Sequence, residues 1–227
     1  MSPRRRIWQP LLALVPFLVV AGCATSSAPV ANGGTADPEF QMLVAARSPV
    51  VVLPATVDFV AVADESPLAP DEFGGTRVAA HLDTELLRVL DASGLSCRTI
   101  QRLPAEADTV IADLLPAASI LVDRYSDHEP YQPHLAVLRR LGNADHLCVP
   151  VVHVQVGAAE WYNPMSGAMT QSTSSTVLRI ALVDMEDGSV SWSAEGLVRA
   201  LPYNQRQESI NPGFAEVVRM ILEPTRP

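Results

Sequence analysis

The stretch TSSTVLRIALVDMEDGSVSWSAEGLVRA, residues 173–200, decides the fold. From Thr173 to Met185, Leu178, Ile180 and Leu182 alternate with Val177, Arg179, Ala181 and Val183, which is the two-residue period of a strand. Asp187-Gly188 has the chemistry of a tight turn, and Val190 to Ala200 returns with Val190, Trp192 and Ala194 on one face. These residues predict a β-hairpin. Trp192, set among small alternating residues, reads as a core aromatic rather than a ligand platform.

Working outward, Leu147 to Val156 is valine-rich and predicts a buried strand, with Pro150 marking an irregularity. Val50 to Val62 predicts a first strand, and Pro54, which lacks an N–H, places an edge or bulge within it. Asp64 to Gly75 reads as a loop. Between Thr76 and Ser93, Val78, Leu82, Leu86, Val89 and Leu90 share one helical face, and Gly94 supplies the stop. A second strand is expected over Ser96 to Leu103. Ala105 to Leu115 reads as helix until Pro116, Ile120 to Val122 as helix or short strand, and Leu135 to Leu141 as helix. At the end, Asn211 caps, Pro212 suits the first helical position, and Phe214, Val217, Val218, Ile221 and Leu222 form an apolar stripe. The order β-α-β-α(α)-β-β-β-α predicts an α/β (α+β) fold. In it a mixed β-sheet carries packed helices, a β-hairpin and a C-terminal amphipathic helix.

The N-terminus has a different logic. Arg4, Arg5 and Arg6 precede an apolar run from Leu11 to Ala21 that only Pro16 interrupts. A spanning helix needs about 20 apolar residues, so this run predicts a secretory signal. Residues 24–37 are small and polar with no apolar period, which predicts a flexible tether. If it runs to about Arg47, its roughly 25 residues span about 28 Å r.m.s. and at most about 80 Å. The expected organisation is a signal peptide at 1–22, Cys23 and the tether at 23–48, and one globular domain at 49–227.

The 227 residues carry a net charge of −9, and all 16 basic residues are arginine. Cleavage after residue 22 removes three of them and leaves the chain more acidic. Such a chain repels phosphate backbones and anionic lipid surfaces, and nucleic acid is not an expected partner. The absence of lysine excludes a P-loop lysine, a Schiff base and a Ser–Lys dyad.

Val20-Ala21-Gly22-Cys23 resembles the lipobox of bacterial lipoproteins. The resemblance implies diacylglycerol on the Cys23 sulfur, cleavage before it and palmitoylation of the new terminus. Ala24, in place of the aspartate that retains enterobacterial lipoproteins in the inner membrane, implies the outer membrane, facing the periplasm. Two cysteines then remain, Cys97 and Cys148. An oxidising compartment permits a disulfide between them, and both also suit buried, reduced positions. The "Val-Val-Leu-Pro" strand at 51–54, the helix end Ala-Ser-Gly-Leu at 92–95, Leu-Gly-Asn-Ala-Asp at 141–145 and the hairpin at 182–192 are similar to a loose group. That group holds the curli-secretion lipoprotein, the penicillin-binding-protein activator lipoproteins, the Pel export lipoprotein and the TolB amino-terminal domain. The curli channel's long transmembrane insertions have no counterpart in the short connection from Gly157 to Gln171, so no channel is predicted.

Asp127-His128-Glu129 with His134 is the one local cluster of ligand types, but it lacks metal-site spacing and reads as a solvated loop. Asp184, Glu186 and Asp187 read as turn chemistry rather than a calcium loop. No catalytic constellation, metal or cofactor is expected. The leading expectation is a non-enzymatic accessory or assembly factor that binds another envelope protein or itself. A peptidoglycan hydrolase and a carrier of a lipid or small apolar ligand are the alternatives. Trp161, Tyr162 and Met165 lie in a connection where small polar residues are usual. They read either as partner contacts or as a lid over the sheet edge.

Overall fold

The computed structural model describes residues 29–61, 66–157, 161–163, 168–170 and 174–223. The predicted hairpin pairs β9 (Ser175–Asp184) with β10 (Val190–Val198) in antiparallel register. Its turn places Gly188 at φ 77°, and the carboxylates of Asp184 and Asp187 accept the N–H groups of Glu186 and Ser189. One detail is corrected. A bulge between Val190 and Trp192 pairs Val190 with Val183 but Trp192 with Leu182, so Val190 faces the side of the sheet opposite Trp192 and Ala194.

The hairpin belongs to an eight-stranded mixed sheet. Its order is β1 (Val30–Asn32), β10, β9, β6 (His146–Val156), β2 (Val50–Val52) and β5 (Cys97–Thr99). β3 (Thr56–Ala61) continues along β6 beyond β2, with β4 (Pro67–Leu68) outside it. β5, β2, β6 and β3 run parallel, whereas β6, β9, β10 and β1 alternate in direction. β6 is buried from His146 to Val152, as a central strand covered on both faces must be.

The two strand prolines answer one another. β2 and β3 are one stretch broken at Pro54: Val52 pairs with Cys148 and Thr56 with Val151, one residue more on the first side than on the second. That is a bulge, as Pro54 predicts. The Leu53 N–H donates to the Cys148 carbonyl, so the even residues of β6 turn their backbone groups toward β2 and β3. Pro150 therefore directs its missing donor at the bulge, where no ladder bond is due. The Ala55 N–H, released from the ladder, donates instead to Asp83 Oδ1 at 2.8 Å.

Helices cover both faces. On one side α1 (Pro38–Ala46), α2 (Gly75–Ser93) and α6 (Pro212–Leu222) pack against Val50, Val152, Leu178, Ile180 and Trp192. On the other, α3 (Ala107–Leu114), α4 (Ala118–Leu121) and α5 (Gln132–Gly142) pack against Val51, Leu147, Val149, Ala181 and Val183. Asn211 caps α6 through the Gly213 N–H at 2.8 Å, and Gly94 ends α2 at φ 88°. Pro116 lies in a 3₁₀ turn between α3 and α4, which settles Ile120 and Leu121 as helix.

One boundary is corrected, and the two cysteines take the unpaired alternative. The chain from residue 30 onward is part of the fold and not a tether. β1 pairs with β10, and Phe40 of α1 is fully buried with its ring centroid 5.0 Å from that of Trp192. The segment expected to be a signal peptide, Cys23 and residues up to 28 lie outside the described residues. Cys97 and Cys148 are both free. They flank β2, paired with Val50 and Val52 respectively, which separates their strands by about 10 Å. A disulfide needs Cα atoms within about 7 Å. Burial raises the Cys148 thiol well above its usual value and pushes Cys97 up to about 12, with Asp91 adding to the latter.

Candidate functional site

The two helical layers are unequal, and the candidate site follows from that. On the side of α3, α4 and α5, the helices cover Ala181 and Val183 but stop short of Arg179 and Val177, which share the same strand parity. Among the described residues the outer part of this sheet face is left open, although Val151 stays buried under the helices. A cross-strand row runs through it: Val30, Leu197, Val177, His153 and Asp58 stand side by side on β1, β10, β9, β6 and β3. Beside it lies a second row of Asn32, Glu195, Arg179, Val151 and Thr56. In the first row Val30 is 55% and Leu197 37% exposed.

The turn after α4 walls this floor. Between them lies a cleft of about 270 Å³ lined by Val122, Asp123, Arg124, Tyr125, Arg179, Ser193, Ala194 and Glu195. Arg124 donates to Ser193 Oγ at 3.0 Å and to Glu39 at 2.9 Å, and Arg179 donates to Glu195 at 2.7 Å. The Tyr125 N–H and the Ser126 hydroxyl donate to Asp123 and hold its carboxyl below the usual value, with Arg179 contributing. Tyr125 itself is 96% exposed. The wall is anchored by His128, whose Nδ1 lies 2.6 Å from the Gly188 carbonyl and whose Nε2 lies 3.0 Å from those of Ile120 and Asp123. That histidine ties the turn after α4 to the hairpin turn.

A second feature stands between β6 and β9. The connection builds its own two-stranded sheet, β7 (Trp161–Asn163) with β8 (Ala168–Thr170), pairing Tyr162 with Met169. Met165 lies outside the described residues. Trp161 and Tyr162 thus sit on a backbone arm separate from the main sheet.

The remaining sequence candidates serve the fold. Asp127 accepts the Glu129 N–H, and His134 Nε2 stands 3.3 Å from Asp113, so the local cluster divides among different partners. Among the described residues no group of three His, Cys, Asp or Glu is placed to hold a metal ion. Trp192 is a core residue whose Nε1–H donates to the Gly34 carbonyl at 3.2 Å. Among the described residues no helix is long and apolar enough to cross a membrane. Sequence reasoning did not find the open part. Its one signal was the Val177 and Arg179 parity, which turns from mixed to purely apolar at Ala181.

No protein family and no curated protein matches the sequence. Among solved structures the chain is remotely similar to the PelC dodecamer from Paraburkholderia phytofirmans, at 14% identity over 88% of this chain and 99% of that one, with a TM-score of 0.37. It is similar also to lipoprotein GNA1162 from Neisseria meningitidis, at 13% identity over 70% and 89% of the two chains and a TM-score of 0.35. A third likeness is the LpoB C-terminal domain from Salmonella enterica, at 14% identity over 70% and 94%, with a TM-score of 0.34. All three are remote likenesses at low identity.

Proposed function

We propose that this chain is a non-enzymatic accessory protein of the cell envelope, anchored by a lipid on Cys23 in the outer membrane and binding another envelope component on its periplasmic side. The observation that carries the partner reading is the β7–β8 arm. Two adjacent antiparallel strands can be joined by two residues, yet β6 and β9 are joined by a second small sheet bearing Trp161 and Tyr162. A loop held by a rigid sheet suits recognition, and aromatic anchors concentrate interface energy.

Photo-cross-linking from the arm in intact cells tests this. Replacing Trp161 and Tyr162 together by alanine is expected to abolish capture of the partner while the melting temperature of the purified domain stays nearly unchanged. A large fall in melting with capture intact refutes the arm as the contact. For the anchor, Cys23→Ser is expected to lose palmitate labelling and detergent partitioning. Continued labelling of the substituted chain refutes lipidation at Cys23.

A further inference from the structure

We infer that the open part of the sheet lies against the phospholipid headgroups of the membrane that holds the anchor. This rests on the lipidation reading, and three observations point to it.

The first is reach. Because β1 begins at Val30, only about seven residues join Cys23 to the fold, and an extended chain of that length spans at most about 25 Å. A tether running to Arg47 would leave the fold free to turn in any direction. The short one holds the β1 edge of the sheet, and Val30 with it, close to the bilayer.

The second is where apolar surface is exposed. Val30, Met42, Ile120, Tyr125 and Leu197 are the exposed large apolar side chains among the described residues. Val30 and Leu197 are cross-strand partners on the open floor, Tyr125 lines the cleft above it, and Ile120 belongs to α4 beside that wall. Only Met42 of α1 belongs to the other helical layer. Isolated apolar side chains on a surface need no explanation, but a group gathered beside the anchored strand does.

The third is charge. A chain of net charge −9, more acidic still once its first three arginines are removed, is repelled by anionic lipid except where arginines offset its acids. On this face Arg179 pairs with Glu195 and Arg124 with Glu39, while Asp123 and Asp58 accept hydrogen bonds and keep their charge. Arg124 and Arg179 carry long side chains whose stems cover apolar surface while their heads reach phosphate, and Tyr125 has the amphipathic ring that settles at the headgroup level.

The test uses the mature, lipidated chain in nanodiscs of phosphatidylethanolamine and phosphatidylglycerol. A fluorophore is placed at Leu197→Cys, or for comparison at Thr84→Cys on exposed α2 in the opposite layer. The unsubstituted chain supplies the background from Cys97 and Cys148. Lipids spin-labelled at the headgroup are expected to quench the label at 197 and to leave the label at 84 bright. A second pair of variants, Val30→Asp and Leu197→Asp, changes exposed positions only and is expected to raise protease access to the face in the nanodisc. Equal quenching at the two sites, or stronger quenching at 84, overturns the proposal. So does a Leu197→Cys chain that forms a disulfide dimer in the nanodisc, because a second copy then covers the face. The mass of the mature chain separates the two readings. Without diacylglycerol both fail; with it, equal quenching overturns this proposal alone.

Discussion

Replacing Asp83 separates the two things its carboxyl does. The bulge at Pro54 leaves the Ala55 N–H without a ladder partner, and Asp83 Oδ1 reaches from α2 to accept it at 2.8 Å. Ala55 is buried, so Asp83→Ala leaves a donor with no acceptor, at a cost of about 1–3 kcal/mol. For a domain of this size that is a fall in melting temperature of about 2–4 °C per kcal/mol. Asp83→Asn keeps an oxygen at the same place and loses the charge. Burial raises the Asp83 carboxyl above its ordinary value, and the Ala55 bond only partly offsets this. The folded state therefore holds the proton more tightly than the unfolded chain. The stability this confers is full below the unfolded value, near pH 4, and is lost as pH rises through the folded value. The amide of the Asp83→Asn chain does not titrate and has no such dependence. Urea unfolding at pH 4 and pH 7 is the assay. At pH 7 the Asn variant is expected to equal or exceed the parent, with its relative advantage growing from pH 4 to pH 7, while the Ala variant falls at both. An Asn variant as unstable as the Ala variant, or an advantage that shrinks with rising pH, refutes the account of the bulge.

Thiol titration of the Cys23→Ser chain under denaturing, non-reducing conditions is expected to give two free thiols, and none without denaturant at neutral pH, since Cys148 is fully buried and both thiols are raised. Finding no free thiol after denaturation contradicts the separation of the two cysteines across β2. Gly196→Ala is expected to cost about 1–3 kcal/mol by overpacking, because a Cβ there would overlap Val217 Cγ1 and stand 3.0 Å from Ile221 Cδ1 of α6. An unchanged urea midpoint shows that α6 does not press on β10 as described.

Elements whose cause is local were legible. The period of residues 173–200, the stripe of α2, the Asn211-Pro212 start of α6 and the bulge at Pro54 each follow from a few neighbouring side chains and their backbone preferences. What escaped depends on partners distant in sequence. The placement of Val190 turns on one extra residue in a strand pair, and the period alone has no means of counting it. The separation of Cys97 from Cys148 depends on strand order, since β2 from the start of the domain inserts between them. The open part of the sheet is a question of how far three short helices extend, and its residues come from β1, β3, β6, β9 and β10, which only the strand order brings together.

The N-terminal segment shows the same limit most clearly. Small residues at 24–37 have two physical uses, freedom and close approach, and composition alone does not separate them. In the fold, Gly33 and Gly34 take φ of 74° and 113°, and a Cβ would stand 2.8 Å from the Ser193 carbonyl oxygen at the first and 2.7 Å from that of Ile221 at the second. The pair is there to let the chain pass between β10 and the end of α6. Thr35 then fastens it, its N–H donating to the Ile221 carbonyl and its hydroxyl to that of Leu222. Asp37 caps α1, which delivers Phe40 onto Trp192. A composition that reads as slack is thus a fitted strap, and the consequence reaches function. If Cys23 carries the lipid proposed for it, a strap that starts at Val30 sets how the sheet faces the membrane as well as how far away it sits.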